Sequence, residues 1–586
     1  MVDYRAPLSD IEQALAAQSD IVGLRELDRY REATPDLVSA VLGEAARFAE
    51  RVLGPLNEAG DRHGCRLENG VVRTAPGFAE GYREFSQQGW QGVPADAALG
   101  GQGLPWSIAA AVQEMWYAAN MSFSLCSLLT QGAIDLLETH ASPEQRERYL
   151  RPLIEGSWTG TMNMTEPNAG SDVGALTTRA VPDGDGWRIS GQKIFITFGE
   201  HDMAENIVHL VLARTPNAPT GSKGISLFIV PKFLPKADGT PGARNDLRCI
   251  ALERKMGIHA SPTCVMSYGD DGGAWGELVG AENQGMALMF TMMNNARLAV
   301  AIQGLGAGER AWQAAIEYAH QRRQGRAAGI EGSAPIVHHP DVARMLMTIR
   351  ALVDAKRALI YYTAGAMDRA RALPKGEARD KAQALTDLLT PVAKAWCTDR
   401  GCEAADLAIQ IHGGMGFIEQ TGAAQIYRDA RITPIYEGTN GIQAIDLLGR
   451  KLCRDEGRTV TLLCDEMRRS LATVPTSFSA TAKLIIAAIE RIERASQSLL
   501  TAYRTDPRQA LAAATAYLRL FGTTVAAWRL VISAFGDHSP DAARRQESAS
   551  FFATHVLPET IALAAQIEHA VAASAGLPIS LRAEPA

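Results

Sequence analysis

The sequence predicts a mostly helical α+β protein, with a small antiparallel β-barrel or sandwich set between helical units. Three observations predict it. Apolar residues recur at three- and four-residue spacing over about 35–155. From about 159 to 281 that period gives way to short apolar runs separated by turn residues, with no helical run between them. Helical spacing returns at Met286 in long runs with short joins, the pattern of a bundle followed by further helices. The expected parts are an arm (1–34), a helical domain (35–158), a β domain (159–281), a helical bundle (282–452) and an added helical domain (453–586).

The arm, with Tyr4-Arg5-Ala6-Pro7-Leu8 and a short helical run through Leu15, reads as a packed tail without chemistry. Pro35-Asp36 opens a helix whose buried face is Val38, Val41, Leu42, Ala45, Phe48, Ala49, Val52 and Leu53. Further helices are expected over 78–88, 107–120, 122–140 and from Ser142-Pro143-Glu144 to about 154. Strands are expected over 159–164, 187–197, 207–214, 225–230, 247–251 and 263–268, with Asp183-Gly184-Asp185-Gly186 as a hairpin turn. The bundle reads as 286–321, a helix from Pro340 past Tyr361, and about 378–411, which Pro391 is expected to kink or break. Beyond it, 483–503 and 507–535 are the clearest helices.

Composition narrows the function. At 586 residues the chain has room for roughly four domain-sized units. Its 46% hydrophobic and 21% charged residues are those of an ordinary globular protein. A net charge of −7 argues against a nucleic-acid surface. The eight cysteines include no CxxC pair, Cys397 and Cys402 lack histidines at zinc spacing, and His338-His339 lack metal-ligand company, so no metal is predicted. Met1-Val2-Asp3-Tyr4 opens without a basic-then-apolar export pattern, which predicts a cytoplasmic location. The most apolar run, 511–535, contains Arg519 and Arg529 and reads as a buried core helix rather than a membrane span. Neither glycine cluster is a nucleotide turn: 99–103 lacks a Gly-Lys-Ser/Thr ending, and 304–308 lies inside a helical pattern, where small residues permit close packing.

The chemistry centres on Ile432-Thr433-Pro434-Ile435-Tyr436-Glu437-Gly438-Thr439-Asn440. Apolar neighbours disfavour the charged form of its one carboxylate and raise its pKa, which suits a general base working near neutrality. Gly438 leaves room for another molecule to approach the backbone. The residues alone keep a second reading open, in which Glu437 merely complements a helix N-terminus.

Residues 435–439 resemble the active-site segment of the acyl-CoA dehydrogenases. Gln410-Ile411-His412-Gly413-Gly414-Met415-Gly416-Phe417 and Tyr427-Arg428-Asp429-Ala430-Arg431 resemble that family's C-terminal signature, and Met164-Thr165-Glu166-Pro167-Asn168-Ala169-Gly170-Ser171-Asp172 its other one. The resemblance spans about 35–452. The chain's ends and Thr421-Gly422-Ala423-Ala424 resemble the branch holding 3-(methylthio)propionyl-CoA dehydrogenases and broad-range fatty acyl-CoA dehydrogenases.

The resemblance implies an N-terminal helical domain, a middle β-barrel and a C-terminal four-helix bundle, with FAD between barrel and bundle. It implies dehydrogenation of an acyl-CoA to a trans-2-enoyl-CoA. Glu437 would take the α-proton as the β-hydride passes to the flavin, and the backbone N–H of Glu437 with a flavin ribityl hydroxyl would polarise the thioester carbonyl. Met164, Thr165 and Ser171 would line the flavin, and Phe195-Ile196-Thr197 would pack on its ring. The family usually has tryptophan at the position of Phe195, and phenylalanine keeps the aromatic face without the indole N–H. Arg322, with Arg323 beside it as an alternative, would meet the FAD pyrophosphate. Gln410, Gly413 and Gly414 would reach the FAD of a neighbouring subunit, and Thr439 and Asn440 would touch the cofactor. Ser171, Arg297, Tyr436 and Gly438 would contact acyl-CoA, although an ordinary ion pair is an equal reading of Arg297.

An electron-transfer flavoprotein as electron acceptor and a homo-oligomer, at least a dimer, also follow from the resemblance. Two departures stand out: Gln324-Gly325 is shorter than the family's usual motif, and Ala424-Gln425 replaces a usual acidic and basic pair, which puts the salt bridges of that turn in doubt. Lys255 to Thr263 resembles a family segment near the site and is given no catalytic role. Two rivals share the fold. An acyl-CoA oxidase would react with oxygen. A nucleic-acid-associated alkylation-response flavoprotein would need a basic face, whereas the C-terminal segment mixes Arg491, Arg494 and Arg504 with Glu490, Glu493 and Asp506.

Overall fold

The computed structural model describes residues 3–572; Met1, Val2 and the last part of the added segment, 573–586, lie outside the described residues. The helix Pro35–Phe48 starts where local chemistry dictates. Thr34 accepts the N–H of Leu37, and Pro35 occupies the first turn. The helices Trp106–Ala119 and Met121–His140 are buried along nearly their whole length and form the centre of the N-terminal unit. Pro143–Glu155 begins at a complete capping box of Ser142 and Gln145. A hairpin of β1 (Arg66–Glu68) and β2 (Val71–Arg73) interrupts the helices expected here. Strands of three residues are too short to leave an alternating pattern.

The middle unit contains β3 (Trp158–Asn163), β4 (Arg179–Asp183), β5 (Gly186–Thr197), β6 (Asn206–Ala213), β7 (Ser226–Pro231), a side hairpin of β8 (Phe233–Pro235) and β9 (Pro241–Arg244), β10 (Leu247–Leu252), β11 (Thr263–Tyr268) and β12 (Ala274–Val279). The main sheet runs β10-β11-β5-β12-β7-β6-β3, with β4 paired to β5 across the turn at 183–186. All its pairs are antiparallel except β3 with β6. The long connection between those two strands, which carries β4 and β5, allows a parallel crossover that a hairpin would forbid. Strands β4, β8, β9 and β12 lie outside the runs the sequence marked.

Three long helices, Gly285–Gln321, Pro340–Ala372 and Glu377–His412, build the bundle. The last runs unbroken through Pro391, against expectation. Residues 388–398 are all buried, and this packing offsets the hydrogen bond that proline removes. Gly304 lies within the first bundle helix, as its setting implied, and a Cβ there would stand 2.4 Å from the Cys397 carbonyl oxygen. The first and third bundle helices therefore touch backbone to backbone. Ala514–Phe535 is the one helix among the described residues long and apolar enough to cross a membrane, and 83% of its most apolar window is buried. Trp396 of the third bundle helix donates to Thr523 on it at 2.9 Å. The N-terminal arm joins the same assembly, because Asp10 pairs with Arg350 at 2.6 Å and with Arg545 at 2.7 Å.

Candidate active site

Glu437 sits on the loop between the helices Ala423–Ala430 and Asn440–Ile445. Glu437 has φ 56° and Gly438 φ 83°, two successive left-handed residues. For glutamate this conformation costs about 1–2 kcal/mol, so the surroundings must impose it. Gln443 does so by donating its Nε2 to the carbonyls of Glu437 (3.2 Å) and Gly438 (3.1 Å). A Cβ on residue 438 would stand 2.8 Å from that same Nε2, so glycine is required for space as well as for φ. Thr439 caps the following helix by accepting the N–H of Ile442. Tyr436 donates its hydroxyl to Gln303.

The carboxylate of Glu437 is half-buried, and no hydrogen bond among the described residues reaches it. Its backbone N–H also has no acceptor among them. Burial pushes its pKa up to about 6, against the opposing pull of Lys394 and Arg297. Arg297 is buried and ion-paired with Asp446 at 3.0 Å, which matches the ion-pair reading of this residue and leaves it acting on Glu437 through its field.

The other signature follows β3. Its carboxylate, Glu166, is bound by Lys193 Nζ (2.8 Å) and by the N–H and hydroxyl groups of Thr177 and Thr178 at 2.6–3.1 Å. Lys193 also donates to the Met164 carbonyl. The loop so fixed leaves Met164 and Thr165 half-buried and Ser171 exposed. Ile194 N–H donates to the Thr165 carbonyl at 2.9 Å, which brings this loop to β5. There the β5–β11 register shifts, Phe195 takes φ 60°, and its ring stands 57% exposed. Ile196 points the other way, into the core of the sheet, which excludes its side chain from the ring-packing role expected of it. Thr197 is half-buried.

Arg322, Gln410, Gly413 and Gly414 form a third group at the ends of the first and third bundle helices. The stack of Tyr318 on His412, 4.3 Å between centroids, joins those ends. All four residues are exposed, and a Cβ on either glycine would meet open space. Arg323 is occupied by the Ser333 carbonyl, whereas the Arg322 guanidinium has no partner among the described residues.

Asn440, expected to touch the cofactor, has its side chain tied to the bundle. Its side chain faces the third bundle helix, donating to Ala395 O, Thr398 Oγ1 and Asp399 Oδ1 and accepting from Lys394. The turn at Ala424-Gln425 keeps its ion pairs by another route, since Arg428 binds Asp61 and Glu419. Sequence reasoning missed Gln303, Gln443, Lys193 and Lys394. The two glutamines and Lys193 leave no signal, but Lys394 interrupts the apolar run Val392-Ala393-Lys394-Ala395-Trp396, which marks a buried charge in need of a partner.

Family models match the chain in order: acyl-CoA dehydrogenase N-terminal domain at 38–157, middle domain at 161–270 and C-terminal domain at 283–452, then an acetyl-CoA dehydrogenase C-terminal-like domain at 463–578. A 3-methylmercaptopropionyl-CoA dehydrogenase of Ruegeria pomeroyi is 47% identical over 91% of this chain and 91% of its own. A broad-specificity linear acyl-CoA dehydrogenase of Mycobacterium tuberculosis is 37% identical over 73% of this chain and 72% of its own. A solved acyl-CoA dehydrogenase of Bacillus anthracis, 21% identical, shares the fold with a TM-score of 0.77 over 94% of this chain and 90% of that one. With the three domains in order and the acidic loop, the signature loop and the helix ends in place, the chain belongs to the acyl-CoA dehydrogenase family.

Proposed function

We propose that the protein dehydrogenates an acyl-CoA thioester between its α- and β-carbons with FAD, and that Glu437 is the base. One observation carries the assignment of the base: Glu437 is held in a left-handed conformation with no hydrogen bond among the described residues to its carboxylate, and with a pKa near 6. Such a carboxylate is ionised at neutral pH and free to accept a proton. The N–H of Glu437, without an acceptor among the described residues, is free to donate to a thioester carbonyl as charge develops there.

The residues present fit FAD. An aromatic face held open at Phe195, hydroxyls at Thr165, Ser171 and Thr197, and the unpaired Arg322 suit a flavin ring and a pyrophosphate. Near the acidic loop, buried Gln303 Nε2 and Arg297 Nε have no protein acceptor among the described residues. Bound FAD supplies the acceptor for the β-hydride. Tyr436 and Gly438 border the base and are assigned to the acyl-CoA side, together with the exposed Ser171. The Ruegeria relative makes 3-(methylthio)propionyl-CoA the first acyl group to try, ahead of straight-chain fatty acyl-CoAs.

Reoxidation is assigned to an electron-transfer flavoprotein, on family membership alone; release of peroxide in air would move the assignment to an oxidase. Gln410, Gly413 and Gly414 are exposed, beside the exposed apolar residues Met415, Phe417 (85% exposed) and Ile418. They support a homo-oligomer in which these residues complete a neighbour's cofactor site. Full FAD content in a monomer by sedimentation would remove that support.

The decisive experiment is Glu437→Gln. The variant should stay yellow and bind acyl-CoA, with anaerobic flavin bleaching slowed by about a hundred- to ten-thousand-fold or more. Normal bleaching would sink the mechanism.

A further inference from the structure

We propose that Lys394 is a positioning residue for this reaction, holding the base-bearing loop through Asn440 and supplying the cation that faces Glu437. The inference rests on the reading of Glu437 as base.

Lys394 lies in the third bundle helix between buried Val392-Ala393 and Ala395-Trp396, and is itself fully buried. An ammonium in such a place is kept only where partners compensate its lost hydration. It has three protons to donate, and the single hydrogen-bond acceptor given to it by the described residues is Asn440 Oδ1, at 2.9 Å. The amide of Asn440 reaches Ala395 O (3.1 Å), Thr398 Oγ1 (3.0 Å) and Asp399 Oδ1 (2.7 Å). Both ends of one side chain are therefore tied to one stretch of the helix. Asn440 stands three residues after Glu437, and its N–H donates to the Pro434 carbonyl at 3.0 Å, three residues before it. The loop is thus closed around the glutamate, and Lys394, together with Ala395, Thr398 and Asp399, fastens the closure to the bundle. A cavity of about 70 Å³ behind Asn440, walled on its far side by Thr515, Leu518 and Arg519, shows that the added helical domain covers this clamp.

The charges around Glu437 assign Lys394 its second role. Glu437 is faced by Lys394 from the third bundle helix and by Arg297 from the first. Arg297 is already committed to Asp446, with Arg450 beside it. Lys394 is faced by Glu437 and Asp399, and by Arg297 as a like charge. Burial draws its pKa down to about 7 while the two carboxylates hold it up.

The test compares Lys394→Met, Lys394→Arg and Asn440→Ala as FAD-loaded enzymes, with the acyl-CoA that bleaches the wild type fastest. In Lys394→Met the acid limb of kcat/KM against pH should move up by about one unit or more, because the carboxylate loses its facing cation. Lys394→Arg should return the limb toward its wild-type position. Asn440→Ala should leave the limb in place and lower kcat at every pH, with KM little changed. A limb unmoved in Lys394→Met would overturn the electrostatic role, and an unchanged kcat in Asn440→Ala would overturn the clamp. Should Lys394→Met fail to hold FAD, Lys394→Gln takes its place for the limb, and an unmoved limb there overturns the electrostatic role in the same way. If Glu437→Gln bleaches normally, the base reading has failed; if it is inactive while the Lys394→Met limb stays put, only this inference has.

Discussion

Two glutamates stand in two loops, Glu166 in the signature loop at 164–172 and Glu437 in the active-site segment, and the protein treats them in opposite ways. Glu166 is buried, yet it accepts five hydrogen bonds, from Lys193, Thr177 and Thr178. Burial alone would raise its pKa, but Lys193 and those donors carry it down to about 2. Glu437 accepts none among the described residues, so burial prevails and its pKa rises to about 6. The lesson concerns hydrogen bonds more than burial. A carboxylate whose lone pairs are filled by the fold is a fastener, and one kept bare on a strained backbone is available to chemistry.

The comparison can be broken by removing each charge while keeping its shape. Glu166→Gln leaves the Lys193 ammonium buried without its counter-ion, a situation that costs about 3–5 kcal/mol. The loop that carries Met164, Thr165 and Ser171 should loosen with it. The expected outcome is a lower melting temperature and weaker FAD retention, while the fraction of enzyme that keeps flavin still bleaches with acyl-CoA. A Glu166→Gln protein that melts normally but cannot bleach would reverse the roles assigned to the two residues.

How far the sequence told them apart is instructive. Both glutamates lie in recognisable motifs, and the apolar setting of 432–440 pointed to a raised pKa at Glu437. Glu166 gave no such sign, because its partners, Lys193 and the threonines at 177–178, lie 11 to 27 residues on and meet it only in the fold. Helices were legible from spacing and caps, as at Thr34-Pro35 and Ser142–Gln145, since those signals are local. The strands at 66–73 and 274–279 were not, being short or without alternation. Pro391 misled for a related reason: a local rule was overruled by burial of the whole turn. Ile196 and Asn440 show the same limit within the site. Their positions followed from the motif, but which way each side chain faces was decided by the sheet core in one case and by Lys394 in the other.

The smallest expected effect gives the comparison its sharpest edge, because it differs in sign. A carboxyl whose folded pKa is raised binds its proton more tightly in the folded state. Below the unfolded value of 4.5 both states are protonated and nothing is lost. As pH rises from 4.5 through about 6 the unfolded state ionises first, and stability falls; above that the full penalty remains, about 2 kcal/mol for this shift. Glu166 runs the other way: its folded pKa is depressed, so its contribution is present above 4.5 and is lost as pH falls toward 2. Glu437→Gln should therefore melt above the wild type at pH 7.5, measured in excess FAD, and the gap should close as pH is lowered toward 4. A glutamate that merely complemented a helix terminus would give the opposite sign, a loss of about 0.3–1 kcal/mol on substitution. Equal melting temperatures for wild type and Glu437→Gln from pH 4 to 7.5 would mean that the bare carboxylate carries no such penalty, and the contrast with Glu166 would then rest on geometry alone.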